Sequence, residues 1–183
     1  MNRCRWCNLK NPLYITYHDQ EWGRPLRDDR KLFEFLILES FQAGLSWETI
    51  LNKREYFRLA FDGFEPEVVC RYDAAKIERL MSDPGIIRNR RKIEAAICNA
   101  SAFLQIQKEW GSFSNYIWHF TNGQTVYESQ LTHSPLSDRV SKDLKMRGMR
   151  FVGTTIVYAY LQAIGIIWSH DLECDLYMTK PSG

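Results

Sequence analysis

The stretch Asp83-Pro84-Gly85-Ile86-Ile87-Arg88-Asn89-Arg90-Arg91-Lys92 decides the fold. The apolar residues of the segment before it, 74–82, fall on one helical face, and a long helical pattern follows it. The Pro-Gly turn therefore predicts a hairpin between two helices, near residues 74–107. Amides at a helix start favour phosphate, and this turn feeds four basic side chains into a helix start. The stretch predicts a site that binds the phosphates of a nucleic-acid backbone. The alternative is a basic face that is merely solvated.

Helical patterns cover most of the remaining chain. Residues 29–43 contain no Pro or Gly and are apolar nearly all round, which predicts a central helix ended by Gly44. A second helix is predicted from an N-cap at Ser46 up to Asp62-Gly63. A later one is predicted from a cap at Thr154 to Gly165. These patterns favour an all-α fold in a single domain spanning residues 1–183.

Residues 111–134 have a mixed pattern. We expect a loop there, with a weak strand-like patch from Gln124 to Tyr127.

Composition limits the function less than the motifs do. The chain has 183 residues, of which 45% are hydrophobic and 25% charged, as in a globular domain. The net charge of +2 does not by itself indicate a nucleic-acid binder. The sequence contains no apolar run of about 18 residues and no signal-peptide core. We therefore expect a cytoplasmic protein without a membrane partner. No feature of the sequence suggests an obligate dimer, so we expect a monomer.

Cysteine and histidine residues lie in pairs at the two ends of the chain. Cys4 and His18 are near the start, and His170 and Cys174 form a His-x-x-x-Cys arrangement near the end. Four such ligands bind Zn²⁺ tetrahedrally, and a closed set of four makes the metal structural. Cys7 in place of Cys4, or buried cysteines and surface histidines without a metal, are the alternatives.

A zinc site of this composition would join the two ends of the chain. It predicts a zinc-binding terminal lobe formed by residues 1–22 and 165–183. Five cysteines without secretory features make a disulfide framework a poor explanation for these residues.

Glu39 is the anomaly of the central helix. It lies on the same helical stripe as Leu32, Phe35 and Leu36, where a carboxylate is expensive without a specific partner. Aromatic faces attract cations and stack on bases, so an acid among rings suits a cationic, alkylated purine. An ion pair with an arginine, with the rings as ordinary core, is the alternative. The candidate base-binding residues are Trp6, Tyr14, Tyr17, Trp22, Glu39 and Trp47.

These residues together carry a resemblance to a known family. The matching motifs are Cys-Arg-Trp at Cys4, Tyr17-His18-Asp19, Glu21-Trp22-Gly23, Glu39 with Gln42-Ala43-Gly44-Leu45-Ser46-Trp47, Gly85-Ile86-Ile87-Arg88 and Phe151-Val152-Gly153-Thr154-Thr155. The chain resembles the bacterial 3-methyladenine DNA glycosylase I family over nearly its whole length. The resemblance implies a helix-hairpin-helix DNA glycosylase fold, with the N- and C-termini joined by a structural zinc site.

The resemblance also implies an activity and roles for individual residues. It implies a monofunctional glycosylase that hydrolyses the N-glycosidic bond of 3-methyladenine in alkylated double-stranded DNA and so starts base excision repair. Glu39 and Tyr17 are the expected catalytic residues, and a residue of the Gln-Ala-Gly-Leu loop, Leu45, fills the gap in the duplex. Structural Zn²⁺ is expected on Cys4, His18, His170 and Cys174. The expected DNA-binding residues are Gln42, Gly44, Leu45, Gly85, Ile87, Arg88 and Arg90.

Two other functions remain open on the sequence. A non-catalytic damage-binding protein would use the same hairpin and zinc, but it would not need a carboxylate ringed by Trp and Tyr. A zinc hydrolase would use Glu39 as a base beside a metal ion with one open coordination position. The presence of four good ligands argues against such an open position. The sequence shows no recognisable catalytic lysine of the kind that a lyase activity would need.

Overall fold

The structure is a computed structural model that describes residues 1–177. Residues 178–183, the last part of the predicted terminal lobe, lie outside the described residues. The described chain is mostly helical: α1 (Pro12–Gln20), α2 (Asp29–Gln42), α3 (Trp47–Asn52), α4 (Arg54–Ala60), α5 (Pro66–Val69), α6 (Ala74–Ser82), α7 (Arg90–Trp110), α8 (Phe113–His119), α9 (Pro135–Met146) and α10 (Thr154–Ala163).

Helix α2 runs through the centre of the molecule, as its apolar pattern predicts. All residues from Leu32 to Phe41 are buried, and α2 packs against α3, α7, α8 and α10. The helix begins at the N-cap Asp28, whose side chain accepts a hydrogen bond from the backbone N–H of Lys31. Its central position is what buries Glu39.

The segment from Ser46 to Gly63 is a correction to the predicted single helix. Ser46 is the N-cap, as expected, but the helix stops at Asn52 and α4 begins after Lys53. The φ of −104° and ψ of 1° at Lys53 interrupt the helix. A 3-10 turn, Asp62–Phe64, then follows α4. Apolar periodicity alone did not reveal this change of direction.

The region from Gly111 to Ser134 is more ordered than the predicted loop. It contains α8, which Ser112 caps and which buries Phe113, Tyr116 and Ile117. The expected strand-like patch is real but short, because β1 (Val126–Tyr127) pairs in parallel with β2 (Ile167–Trp168). Two strands of two residues each are the departure from an all-α fold in residues 1–177.

Helices α6 and α10 test two boundary predictions. Helix α6 spans Ala74–Ser82, as predicted, and a turn joins it to α7. The predicted N-cap at Thr154 is wrong, because Gly153 occupies the cap position and Thr154 is the first helical residue. The hydroxyl of Thr154 instead donates to Asp138 across the α9–α10 contact.

Candidate active site

A cavity of about 270 Å³ opens beside the middle of α2. All six candidate base-binding residues line it: Trp6, Tyr14, Tyr17, Trp22, Glu39 and Trp47. They come from the N-terminal loop, α1, the turn after α1, α2 and α3. The tertiary structure therefore brings together side chains that the sequence spreads over more than forty positions.

Glu39 is the buried acid of this cavity. Its side chain is 3% exposed, and its Oε2 has no hydrogen-bond partner within residues 1–177. Burial raises the pKa of the carboxyl to about 8. An unpaired carboxyl facing a cavity costs stability, so its place on α2 indicates a ligand that supplies the missing donor.

The alternative that Glu39 pairs with an arginine is wrong for the described chain. The buried arginine nearby, Arg54, donates instead to Glu34, with 2.6 Å between Nε and Oε1, and to Glu21, with 2.7 Å between Nη1 and Oε2. The guanidinium also lies over the ring of Phe35, 4.9 Å from its centroid. This cation neutralises acids outside the cavity and leaves Glu39 free.

The aromatic side chains form the cavity walls. The ring centroids of Tyr17 and Trp47 are 5.3 Å apart, and those of Trp6 and Tyr14 are 5.4 Å apart. Trp47 Nε1 is a buried donor without a partner in the part of the chain that the structure describes. Trp6, 36% exposed, lies at the cavity mouth. The walls thus present flat faces, and Trp47 adds an unused donor.

Further residues line the cavity that the sequence did not assign to it. They are Gln130, Leu131, Ala159, Gln162, Ser169 and Asp171, together with Gln42, which the sequence assigned to DNA binding. Ala159 and Gln162 share one face of α10 because they are three residues apart. Gln130 and Leu131 lie in an irregular segment whose pattern gives no signal of its position. Only the tertiary packing, which places α10 against α2, brings them to the cavity.

The predicted metal ligands form a second, buried cluster. One ligand atom from each of Cys4, His18, His170 and Cys174 lies within 4.8 Å of the others. Cys4 Sγ is 3.3 Å and Cys174 Sγ 3.5 Å from His170 Nδ1, and Cys174 Sγ is 3.6 Å from His18 Nε2. Donors around a tetrahedral zinc ion are separated by about 3.4–3.8 Å, from the usual bond lengths. The cluster therefore fits a four-coordinate metal ion.

Neighbouring groups orient these ligands. Asp19 Oδ1 lies 2.8 Å from His18 Nδ1, and the backbone N–H of Asp171 donates to Cys4 Sγ at 3.3 Å. Such outer contacts hold a histidine ring and a thiolate in place for a metal. Burial lowers the pKa of His170 to about 4, which keeps its imidazole neutral, the form that ligates metals.

Cys7 does not take part in the cluster. Its thiol donates to the backbone carbonyl of Tyr14 at 3.7 Å. The alternative in which Cys7 replaces Cys4 is therefore wrong.

The turn between α6 and α7 is close to its predicted form. Asp83 Oδ1 accepts from the backbone N–H of Gly85 at 2.7 Å, which tightens the turn. A Cβ at Gly85 would lie 2.9 Å from Cβ of Tyr56, so only glycine allows this close approach. Ile87 is half-buried, whereas Arg88 and Arg90 are exposed.

The basic residues after the turn differ in availability. Arg88 has an exposed side chain, whereas Arg90 pairs with Glu78 through Nη2 and Oε1, 2.5 Å apart. Lys92 is buried and donates to backbone carbonyls of another segment, so it does not belong to the exposed basic surface. The predicted group of four basic residues is therefore only partly exposed.

The loop after α2 brings Leu45 to the surface beside the cavity. Gly44 has a φ of +81°, a conformation that glycine adopts freely. The backbone N–H of Leu45 donates to the carbonyl of Gln42 at 2.6 Å, which closes the loop. The Leu45 side chain is 40% exposed, and Gln42 lines the cavity.

Comparisons with known proteins identify the family of this chain. The family model described as methyladenine glycosylase matches residues 6–177. The chain belongs to the methyladenine glycosylase family. It is 46% identical over 183 residues to DNA-3-methyladenine glycosylase 1 of Escherichia coli K12, covering 97% of each chain. It is 42% identical over 178 residues to the DNA-3-methyladenine glycosylase of Haemophilus influenzae, covering 94% of this chain and 96% of that one.

A solved structure of the same family superimposes closely. The structure of 3-methyladenine DNA glycosylase I from Staphylococcus aureus, described as showing the basis of 3-methyladenine recognition, has a TM-score of 0.92 and 40% identity. The match covers 100% of this chain and 98% of that one. Membership of the methyladenine glycosylase family confirms the resemblance drawn from the sequence motifs. Among residues 1–177, no helix combines the length and the hydrophobicity that a membrane span requires.

Proposed function

We propose that this protein is a monofunctional DNA glycosylase that hydrolyses the N-glycosidic bond of 3-methyladenine in alkylated double-stranded DNA. The observation that carries the proposal is Glu39, a buried carboxyl without a partner in residues 1–177, facing an aromatic cavity. A purine methylated at N3 in DNA is cationic, and its exocyclic amine supplies hydrogen-bond donors. The methylated base therefore supplies the positive charge and the hydrogen-bond donors that Glu39 lacks within residues 1–177.

Glu39 changes charge state as the base enters. In the free protein burial raises the pKa of its carboxyl to about 8, so the neutral acid predominates at pH 7. A cationic base beside it favours the carboxylate, which then accepts hydrogen bonds from the adenine edge. The aromatic walls, with the adjoining rings of Trp47 and Tyr17, pack against the flat base. Neutral adenine gains none of the charge interaction, so the pocket selects the methylated base.

Bond cleavage needs little further assistance. The C1′–N9 bond breaks, its electron pair neutralises the departing cationic purine, and water adds to the oxocarbenium-like sugar. Glu39 and Tyr17 hold the leaving base, and Glu39 in the same position orients the water and accepts its proton. One carboxylate thus serves both recognition and catalysis.

The base must leave the duplex to reach this cavity, at a cost of a few kcal/mol. We assign the backbone grip to a helix-hairpin-helix formed by α6, the turn at Gly85 to Arg88, and α7. The start of α7 and the exposed side chain of Arg88 bind phosphate without reading sequence. Leu45 fills the gap that the extruded base leaves, supported by Gln42 and Gly44. Arg90 contributes its charge at the edge of this surface.

We further propose that Cys4, His18, His170 and Cys174 hold a structural zinc ion. The support is the buried set of two thiols and two imidazoles, whose ligand atoms lie within 4.8 Å of one another, with the Cys4–His170, Cys174–His170 and Cys174–His18 separations at 3.3, 3.5 and 3.6 Å. A closed set leaves no position for water or substrate, so the ion supplies cross-linking and no Lewis-acid chemistry. Glu39 is not a member of this cluster, which speaks against the zinc hydrolase. The cross-link defines a terminal lobe within a single domain.

The decisive experiment uses chromatography to measure the free 3-methyladenine that the protein releases from methylated duplex DNA. Wild type should release the base without added cofactor, and Glu39→Gln should lower the single-turnover rate about 100-fold. Glu67→Gln, which removes an exposed carboxyl on α5, is the matched control and should retain the wild-type rate. DNA binding without release by wild type would favour the damage-binding protein instead.

Two further assays complete the proposal. Borohydride should trap no covalent complex with DNA, because the reaction uses water and no lysine as nucleophile. Sedimentation should give the mass of one chain, alone and on DNA. A cytoplasmic location stays a prediction from the sequence.

A further inference from the structure

Lys92 is a buried lysine whose ammonium group binds carbonyl oxygens of another helix. Its Nζ is 2.8 Å from the backbone oxygen of Phe41 and 2.6 Å from that of Ala43. Lys92 is 7% exposed, and no carboxylate pairs with it within the described residues 1–177. A buried ammonium without a counter-ion is costly, so a position that retains one calls for an explanation.

The two carbonyls lie at the end of the helix that carries Glu39. Helix α2 ends at Gln42, with Ala43 as its C-cap, and its last turn contains no basic residue. Carbonyls at a helix C-terminus lack partners and carry partial negative charge. The ammonium of Lys92 satisfies two of them from outside the helix. It therefore holds the backbone at the point where α2 becomes the loop bearing Leu45.

The backbone of Lys92 belongs to the start of α7. Asn89 caps this helix and accepts from the backbone N–H of Lys92 at 3.2 Å. A cation at a helix N-terminus opposes the helix dipole, so its charge does not help α7. The same residue thus connects the turn proposed to hold the DNA backbone with the loop proposed to fill the duplex gap.

A second lysine makes the reciprocal connection. Lys53, between α3 and α4, donates to the backbone oxygen of Pro84 at 3.0 Å and to that of Gly85 at 3.2 Å. Lys92 therefore extends from the start of α7, next to the turn, to the Leu45 loop. Lys53 extends from the end of α3 to the turn. Two such links, made by separate segments, hold the two DNA-facing elements at one separation.

We infer that Lys92 is a positioning residue for base extrusion: through the carbonyls of Phe41 and Ala43 it sets the Leu45 loop at the distance from the α6–α7 turn that a damaged duplex requires. This inference rests on the proposed glycosylase function. Extrusion needs the backbone grip and the wedge to act on neighbouring nucleotides at once. A wedge displaced by about 1 Å loses roughly 100-fold in rate.

The test compares two substrates for each variant. Release of 3-methyladenine is measured from methylated duplex DNA and from methylated single strands, which need no gap filled. Lys92→Met should lower the duplex rate at least 10-fold and the single-strand rate less than threefold. Lys92→Arg, which keeps the charge and the donors, should recover part of the duplex rate. Lys108→Met, which removes an exposed lysine from the same helix, should match wild type on both substrates.

Each outcome separates the inference from the proposed function. Equal losses on both substrates, or a duplex rate within twofold of wild type, would overturn the positioning role. Affinity for free 3-methyladenine, followed by tryptophan fluorescence, should stay within twofold, and thermal melting establishes that each variant is folded at the assay temperature. Borohydride trapping by wild type that disappears in Lys92→Met would instead make Lys92 a nucleophile. Absence of release by wild type from both substrates would refute the glycosylase itself.

Discussion

Arg54 donates to Glu34, with 2.6 Å between Nε and Oε1, and leaves Glu39 of the same helix unpaired. Both carboxyls belong to α2 and both are buried. Glu34 is neutralised by a guanidinium and contributes to packing, whereas Glu39 faces the cavity at a cost to stability. One helix thus carries a structural acid and a ligand-binding acid, and the two arginines that pair with Glu34, Arg54 and Arg58, make the difference.

Replacement of Glu39 by glutamine should stabilise the fold, and more so at high pH. The pKa of this carboxyl is about 8 in the folded protein, above its ordinary value. Between these two values the folded state holds a proton that the unfolded state has lost, so stability falls as pH rises. The advantage of Glu39→Gln should therefore grow from pH 5 to pH 8.5, to a few kcal/mol. Urea denaturation at both pH values measures it.

The control for that measurement is Glu94→Gln, which removes a half-exposed carboxyl that has no ion pair in residues 1–177 and whose stability relative to wild type should change little with pH. An advantage of Glu39→Gln that is equal at pH 5 and pH 8.5 would contradict the raised pKa.

Arg54→Met should destabilise the protein by about 1.5–3 kcal/mol, because the buried carboxylate of Glu34 loses the more buried of its two arginine partners and keeps only the half-exposed Arg58. The double variant Arg54→Met/Glu34→Leu should recover most of the loss, since the incompletely paired buried carboxylate is then gone. Chemical denaturation of the single and double variants measures both effects. A double variant no more stable than the single one would mean that Arg54 acts mainly through Glu21 or Phe35.

Removal of a cluster thiol should release the metal and loosen both chain ends. Wild type should contain one zinc ion per chain, and Cys174→Ser substantially less, with stability lower by several kcal/mol. Cys98→Ser removes a half-buried cysteine outside the cluster and should match wild type. Atomic emission and thermal melting provide the two readings. Full zinc content in Cys174→Ser would refute the assigned ligand set.

Gly85→Ala should weaken DNA binding without affecting the base pocket. The new methyl group would lie 2.9 Å from Cβ of Tyr56 and 3.0 Å from Oδ1 of Asp83, so the turn must shift. We expect affinity for undamaged duplex to fall roughly 10-fold, as a displaced turn loses a phosphate contact or two. Gly153→Ala, whose methyl group meets no atom within 4 Å, is the control. Fluorescence anisotropy at fixed salt gives the affinities, and an unchanged value would show that this turn does not hold the backbone.

The sequence by itself determined the local structure and the anomalies. Apolar periodicity and cap residues predicted α2, α6 and α7, because these helices are long or clearly bounded. The carboxylate on an apolar stripe identified Glu39, and residue types identified the ligand candidates. It missed α8, whose seven residues give too little periodicity, and the break at Lys53.

Only the tertiary structure decided which of these residues meet. Cys4 and His170 are 166 positions apart, yet their ligand atoms are 3.3 Å apart. The pairing of Arg54 with Glu34, the cavity lining from α10 and residues 130–131, and the contact of Lys92 with α2 likewise depend on packing between distant segments. Local patterns indicate which face of a helix is buried. Which segment packs on that face depends on how the whole chain buries its apolar surface.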